Sequence, residues 1–172
     1  MSVPFNAGEV LEMAQEIERN GRRFYLRAAE GADDAETRSL LLDLAAMEAA
    51  HERTFAAMGE ELKEAESPVA VYDPDGEATR YLRAAAGGHV FASREDPAAW
   101  LGEGRPLRGV LEKAMRMEKE SIVFYAGLRG VVPEALGQDR IDAVIREELQ
   151  HLLQLGERLA LVPREGARPG EN

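Results

Sequence analysis

The 172-residue chain contains no cysteine. Disulfides, thiolate-bound metals and thiol nucleophiles are therefore excluded together, and a cytoplasmic location is consistent with their absence. Positive charge is also scarce: 21 Lys and Arg stand against 32 Asp and Glu, a net charge of −11. Nucleic-acid binding needs basic side chains clustered on phosphates, and anionic membranes attract the same residues. Neither nucleic acid nor membrane is an expected partner. An acidic surface keeps a protein soluble and is compatible with the attraction of cations. Long apolar runs are missing too, so no segment is expected to span a bilayer. The first residues, MSVPFNAGEVLEM, lack a basic stretch leading into an apolar one, and no signal peptide is expected.

What is present is helix. Hydrophobic residues make up 45% of the chain and charged ones 31%, and apolar positions recur at helical spacing in four long segments. The first covers residues 7–30, with Leu11, Ala14, Ile17, Tyr25 and Ala28 near one face. After the loop GADDAET, where Asp33 or Asp34 can cap, the second covers 35–65 with Leu41, Leu44, Phe55 and Met58 on its stripe. The third begins near Pro106, which suits a first turn, and carries Leu107, Leu111, Met115, Ile122 and Tyr125. The fourth follows Val132-Pro133 and stops before Pro163, with Ile141, Val144 and Leu155 inward. Residues 66–105 are rich in Pro, Gly and Asp; a short helix is expected at 77–86, and Trp100 as an anchor onto the helices. Short loops make antiparallel neighbours, so the expected fold is all-α. It is a four-helix bundle of two helical hairpins, 7–65 and 106–161, joined by the long crossover 66–105. A single domain over 1–162 is expected, with 163–172 a flexible tail.

Two of these apolar stripes are interrupted. Glu48 and His51 fall in the middle of the second helix's core face, and Glu148 and His151 in the middle of the fourth's. Aligning the chain with itself at an offset of 100 residues pairs these residues with each other. The same offset matches Val10, Leu11, Glu12, Ala14, Glu18, Phe24, Tyr25 and Ala35 with Val110, Leu111, Glu112, Ala114, Glu118, Phe124, Tyr125 and Ala135. Both copies of Glu-x-x-His recur, as do both Phe-Tyr pairs and a Glu six residues before each Phe. Residues three apart are neighbours on one helical face. Four carboxylates, Glu18, Glu48, Glu118 and Glu148, and two imidazoles, His51 and His151, therefore converge on the centre of one bundle.

Four bare carboxylates cannot share an apolar interior. Each costs several kcal/mol to desolvate even after relaxation, and like charges add to that. Protonation, basic partners or metal ions are the ways out, and the stripes offer no Lys or Arg at these levels. Two divalent cations would balance the four carboxylates. Oxygen and imidazole donors without thiolate suit iron or manganese, with zinc less apt. A Glu from each of two helices plus Glu-x-x-His from the other two is a di-iron carboxylate pattern. The alternative is a metal-free bundle with a buried polar network, which is costly when half satisfied. His89 and Glu120 read as surface residues, and Phe24 and Phe124 as packing residues.

On these residues the chain resembles the ferritin-like superfamily, and within it the rubrerythrin-like branch. The segments AQEIERNGRRFY and AMRMEKESIVFY carry the resemblance, together with YLRAAAGGHVF in the crossover. It implies two iron ions as cofactor, with Glu48 and Glu148 bridging them. Glu18 and Glu118 would be terminal ligands, and His51 and His151 would complete the two positions. Tyr25 and Tyr125 would hydrogen-bond the ligand carboxylates, or else serve simply as core aromatics. Rubrerythrins carry a further Glu three residues after the third-helix ligand; here Ser121 stands there, with Gly21 at the matching place in the first helix. A symmetric six-ligand site is expected in consequence. With no Cys-rich rubredoxin module, electrons would come from a separate protein. The implied function is reduction of H2O2 or oxidation of Fe(II), with O2 or H2O2 as oxidant, in oxidative-stress or iron handling. An iron-storage protein and a substrate-oxidising di-iron enzyme are the rival readings. A homodimer is expected, with hairpins exchanged between subunits as one form of it.

Overall fold

The computed structural model describes residues 7–64, 97–102, 104–132 and 134–163. The helix expected at 77–86, His89 and the tail from 164 onward lie outside these residues. Four long helices account for most of the described chain: α1 (Ala7–Glu30), α2 (Ala35–Glu64), α3 (Leu107–Val131) and α4 (Gln138–Leu161). No described residue lies in a strand. Helix α1 packs along α2 and α3 along α4; contacts of α1 with α3 and of α2 with α4 close the bundle. This is the all-α arrangement of two hairpins expected from the periodicity. No described helix is long and apolar enough to cross a membrane.

Local chemistry sets the ends of the helices. At the start of α2 the Asp34 carboxylate accepts from the Thr37 backbone N–H at 2.8 Å and from its hydroxyl at 2.7 Å. These two bonds hold the Asp34 carboxyl at about 2, below its ordinary range, as expected of a carboxylate that caps a helix. Arg158, near the end of α4, donates to the Thr37 hydroxyl at 2.7 Å and lies 2.8 Å from Asp34, tying the two hairpins together there. Pro106 is the N-cap residue of α3, one position earlier than a first-turn proline. Between α3 and α4 a short 3-10 turn, Glu134–Leu136, precedes Gly137. Gly137 has φ 104°, a left-handed backbone that favours glycine. The expected fourth helix therefore starts five residues after Pro133, not directly on it.

Trp100 lies in the 3-10 helix Pro97–Leu101, which packs on α1. Its ring is half-buried against the apolar core, with the Arg105 guanidinium 4.5 Å above it. The neighbouring Leu101 is buried.

The core is divided in two. One apolar cluster contains Leu11, Ile17, Phe55, Met58, Leu128 and Val144; the other contains Phe24, Leu41, Leu44, Ala45, Ala114 and Leu155. Along every helix the chain passes from one cluster to the other through a buried polar residue: Glu18 in α1, Glu48 and His51 in α2, Glu118 in α3, Glu148 and His151 in α4. The inward residues of α1, α2 and α4 are those expected. In α3 Leu111, Glu118 and Tyr125 are buried as expected, but Met115 and Ile122 are half-buried and the adjacent Ala114 and Ser121 are buried instead.

Candidate metal centre

The structure brings all six candidate ligands together, within one chain. Glu18, Glu148 and His151 are completely buried, and Glu48, His51 and Glu118 nearly so. They form two overlapping sets: Glu18, Glu48, His51 and Glu148, and Glu48, Glu118, Glu148 and His151. In each set one donor atom per residue lies within 4.8 Å of the others. Glu48 and Glu148 belong to both.

Both imidazoles point Nδ1 into the cluster. His51 Nδ1 is 3.1 Å from Glu148 and 3.5 Å from Glu18. His151 Nδ1 is 2.9 Å from Glu148 and 3.6 Å from both Glu48 and Glu118. The two rings stack with centroids 5.6 Å apart. These approaches lack the alignment a hydrogen bond requires. Six buried atoms are left without a partner: Glu18 Oε2, Glu48 Oε1, both Glu148 oxygens and Nδ1 of each histidine. Most buried polar groups in native interiors are paired, and six unpaired ones at a single point call for an explanation. These atoms from three carboxylates and two imidazoles, joined by Glu118 in the second donor set, fit a pair of cations.

Electrostatics without metal makes the same point. Burial pushes the Glu48 carboxyl well above its usual range, and Glu18, Glu118 and Glu148 push it further. Glu118 is raised to about 8 by burial and by Glu148, and burial raises Glu18 as well. At Glu148 burial acts upward but is outweighed by His151 and His51, and its carboxyl is lowered. Both imidazoles rise against the effect of burial, His51 to about 11 through Glu148 and Glu18, and His151 to about 9 through Glu118 and Glu148. A metal-free cluster therefore keeps protons that bound cations would displace.

Two tyrosines hold the carboxylates from outside. The Tyr25 hydroxyl donates to Glu118, and the Tyr125 hydroxyl to Glu18. Each tyrosine thus bonds the glutamate of the opposite hairpin, not the one on its own helix. Burial and the nearby carboxylates push both phenols far up, so they are neutral donors. Phe24 and Phe124 pack edge-on against Tyr25 and Tyr125, with centroids 5.6 and 5.9 Å apart. In metal-free protein, Tyr25→Phe is expected to cost about 2 kcal/mol, because a buried carboxylate oxygen loses its donor. That corresponds to a fall in Tm of roughly 4–8 °C. Tyr125→Phe should do the same, and thermal unfolding that does not move in either variant would deny the bonds any weight.

Gly21 marks how closely the helices approach. A Cβ at this position would come within 2.5 Å of Glu48 Oε2. The matching Ser121 is buried. Glu120 stands outside both donor sets.

Two neighbours of the cluster escape a reading of core stripes. Glu147 meets His51 Nε2 at 2.8 Å, and Met47 meets His151 Nε2 at 3.3 Å. The offset of 100 residues pairs Met47 with Glu147, each one residue before a candidate bridging Glu. Because the two residues differ, the repeat did not draw attention to them. The six inner groups match in residue type but not in contacts, since Glu148 lies against both histidines and Glu48 against His151 alone, and the outer partners differ as well.

The bundle is ferritin-like in arrangement, and its buried Glu/His cluster is a candidate metal site. The family model described as Rubrerythrin matches residues 9–88. A candidate ferritin-like diiron-carboxylate protein from Thermotoga maritima, known from its crystal structure, is 26% identical, with a TM-score of 0.64 over 94% of this chain and 99% of that one. Among curated proteins none matches. The chain is therefore ferritin-like in fold and rubrerythrin-like in the segment that supplies Glu18, Glu48 and His51.

Proposed function

We propose that the protein is a non-haem di-iron oxidoreductase of rubrerythrin-like type, reducing H2O2 or oxidising Fe(II). The observation that carries this reading is the pair of donor sets that share Glu48 and Glu148. Glu48 and Glu148 would bridge two metals. Glu18 with His51 would complete one position, and Glu118 with His151 the other. Iron, with manganese as the alternative, is preferred to zinc because two ions that each give up one electron match the two-electron reduction of a peroxide.

The chain's own groups have separate tasks. Tyr25 and Tyr125 orient the two terminal glutamates, and the imidazoles offer Nδ1 lone pairs in fixed directions. The two apolar clusters above and below keep bulk water from the layer. Reduction would come from a separate donor protein, because the chain has no cysteine with which to hold an electron-transfer iron of its own. A cytoplasmic homodimer remains the proposed setting.

Rapid mixing tests the reaction. Protein loaded anaerobically with Fe(II) should oxidise much faster with H2O2 than with O2. A preference for O2, with continued iron uptake beyond two ions per chain, would point instead to ferroxidase or storage activity.

A further inference from the structure

We infer that the two metal positions are chemically unequal, and that Glu147 makes the His51 position the tighter one. This rests on the reading above, that the cluster binds two divalent cations. The inner groups come in matched pairs: Glu18 with Glu118, Glu48 with Glu148, His51 with His151, Tyr25 with Tyr125. The outer partners of the two histidines do not match.

His51 Nε2 lies 2.8 Å from the Glu147 carboxylate. A carboxylate only accepts, so Nε2 carries a hydrogen, and a cation that displaces the proton on Nδ1 meets a lone pair aimed into the cluster. The negative charge behind the ring makes that lone pair more basic and fixes the ring's angle. His151 Nε2 instead faces the Met47 thioether at 3.3 Å. Sulfur of this kind is a weak, uncharged acceptor. It neither adds charge nor holds the ring with comparable force. Groups that hold a metal-binding histidine from outside are commonly worth 10–100-fold in metal affinity.

Glu147 is also half exposed, with a side-chain accessibility of 51%, while His51 is buried at 2%. It closes the outer edge of the site from the surface of α4, so it can be changed without opening the core. Glu147 is therefore a positioning residue, acting on the metal through His51. Because Glu48 and Glu148 serve both positions, the second ion enters a cluster already partly neutralised. Comparison between variants, not between the two steps of one protein, isolates the effect.

The test is titration of metal-free protein with Co2+, followed by calorimetry and by visible absorption. Wild-type protein should bind two ions in two steps. Glu147→Gln should weaken the tighter step about tenfold, and Glu147→Ala by at least as much. Neither should change the weaker step. Met47→Glu should tighten the weaker step and bring the two together, while Met47→Leu should leave both where they are. The inference is overturned if Glu147→Gln changes both steps alike or neither, or if Met47→Glu leaves their separation unchanged. Absence of saturable Co2+ binding in wild-type protein would overturn it together with the metal reading.

Discussion

Replacing either Glu48 or Glu148 by Ala should abolish binding of the metal pair, whereas replacing Glu18 or Glu118 should leave one position occupied. The difference follows from membership. Glu48 and Glu148 belong to both donor sets; Glu18 and Glu118 belong to one each. Loss of a shared carboxylate removes an oxygen from both positions and leaves unequal charge around the second ion. Loss of a terminal one removes a donor from a single position. Metal content after anaerobic loading and desalting separates the cases: near zero for the first pair, near one per chain for the second. Equal retention in all four variants would refute the bridging assignment. The repeat also requires that Glu48→Ala and Glu148→Ala behave alike.

Stability should move the other way in the absence of metal. Glu48 is disfavoured in its charged form by burial and by three neighbouring carboxylates, so Glu48→Gln should leave metal-free protein at least as stable as wild type. The residue would then cost stability to keep and be retained for its ligand role.

The second large effect is on pH. A Glu ordinarily near 4.5 is raised to about 8 at Glu118, and histidines ordinarily near 6.5 are raised to about 11 at His51 and about 9 at His151. Above pH 4.5 the unfolded chain gives up the glutamate proton that the folded chain keeps; above 6.5 the same holds for the histidines. The folded state then binds more protons than the unfolded one, so stability falls as pH rises through this window. Glu148 shifts downward and acts only below 4.5, outside it. Each excess proton is worth about 1.4 kcal/mol per pH unit. Metal-free protein should therefore lose roughly 3–5 °C of Tm per excess proton for each unit between pH 6 and 8.

Saturating divalent metal should remove that slope. Cations compete with the retained protons, so loading should release protons into solution, and affinity should rise with pH. At 100 times Kd each site adds about 2.7 kcal/mol to the folded state. Differential scanning calorimetry of metal-free and loaded protein at pH 6 and 8 measures both effects. A metal-free Tm that rises with pH would contradict the protonated cluster.

Much of this was legible in the chain itself, because a polar residue inside an apolar stripe is a strong signal. Glu48, His51, Glu148 and His151 interrupt faces otherwise made of Leu, Phe, Ile and Val, and the offset of 100 residues brought in Glu18 and Glu118. Tyr25 and Tyr125 were visible as candidates through the same repeat. Their partners were not: helical spacing relates each tyrosine to the glutamate on its own helix, while the bonds run between hairpins. Only the packing of α1 against α3 could show that. The α3 stripe differs by one position at two points, since Met115 and Ile122 are large and apolar but half-buried. The small residues Ala114 and Ser121 take those inward places instead. Glu147 and Met47 were missed for a simpler reason: an exposed Glu and a half-buried Met are ordinary on a helix, and only a contact to Nε2 distinguishes them.

The most direct measurement is an anaerobic Fe(II) titration of metal-free wild-type protein, with bound iron and released protons counted together. Saturation at two Fe(II) per chain, with protons released as the ions enter, is the expected result. Saturation at one ion, or uptake that never saturates and releases no protons, would contradict a dinuclear centre built on Glu18, Glu48, His51, Glu118, Glu148 and His151.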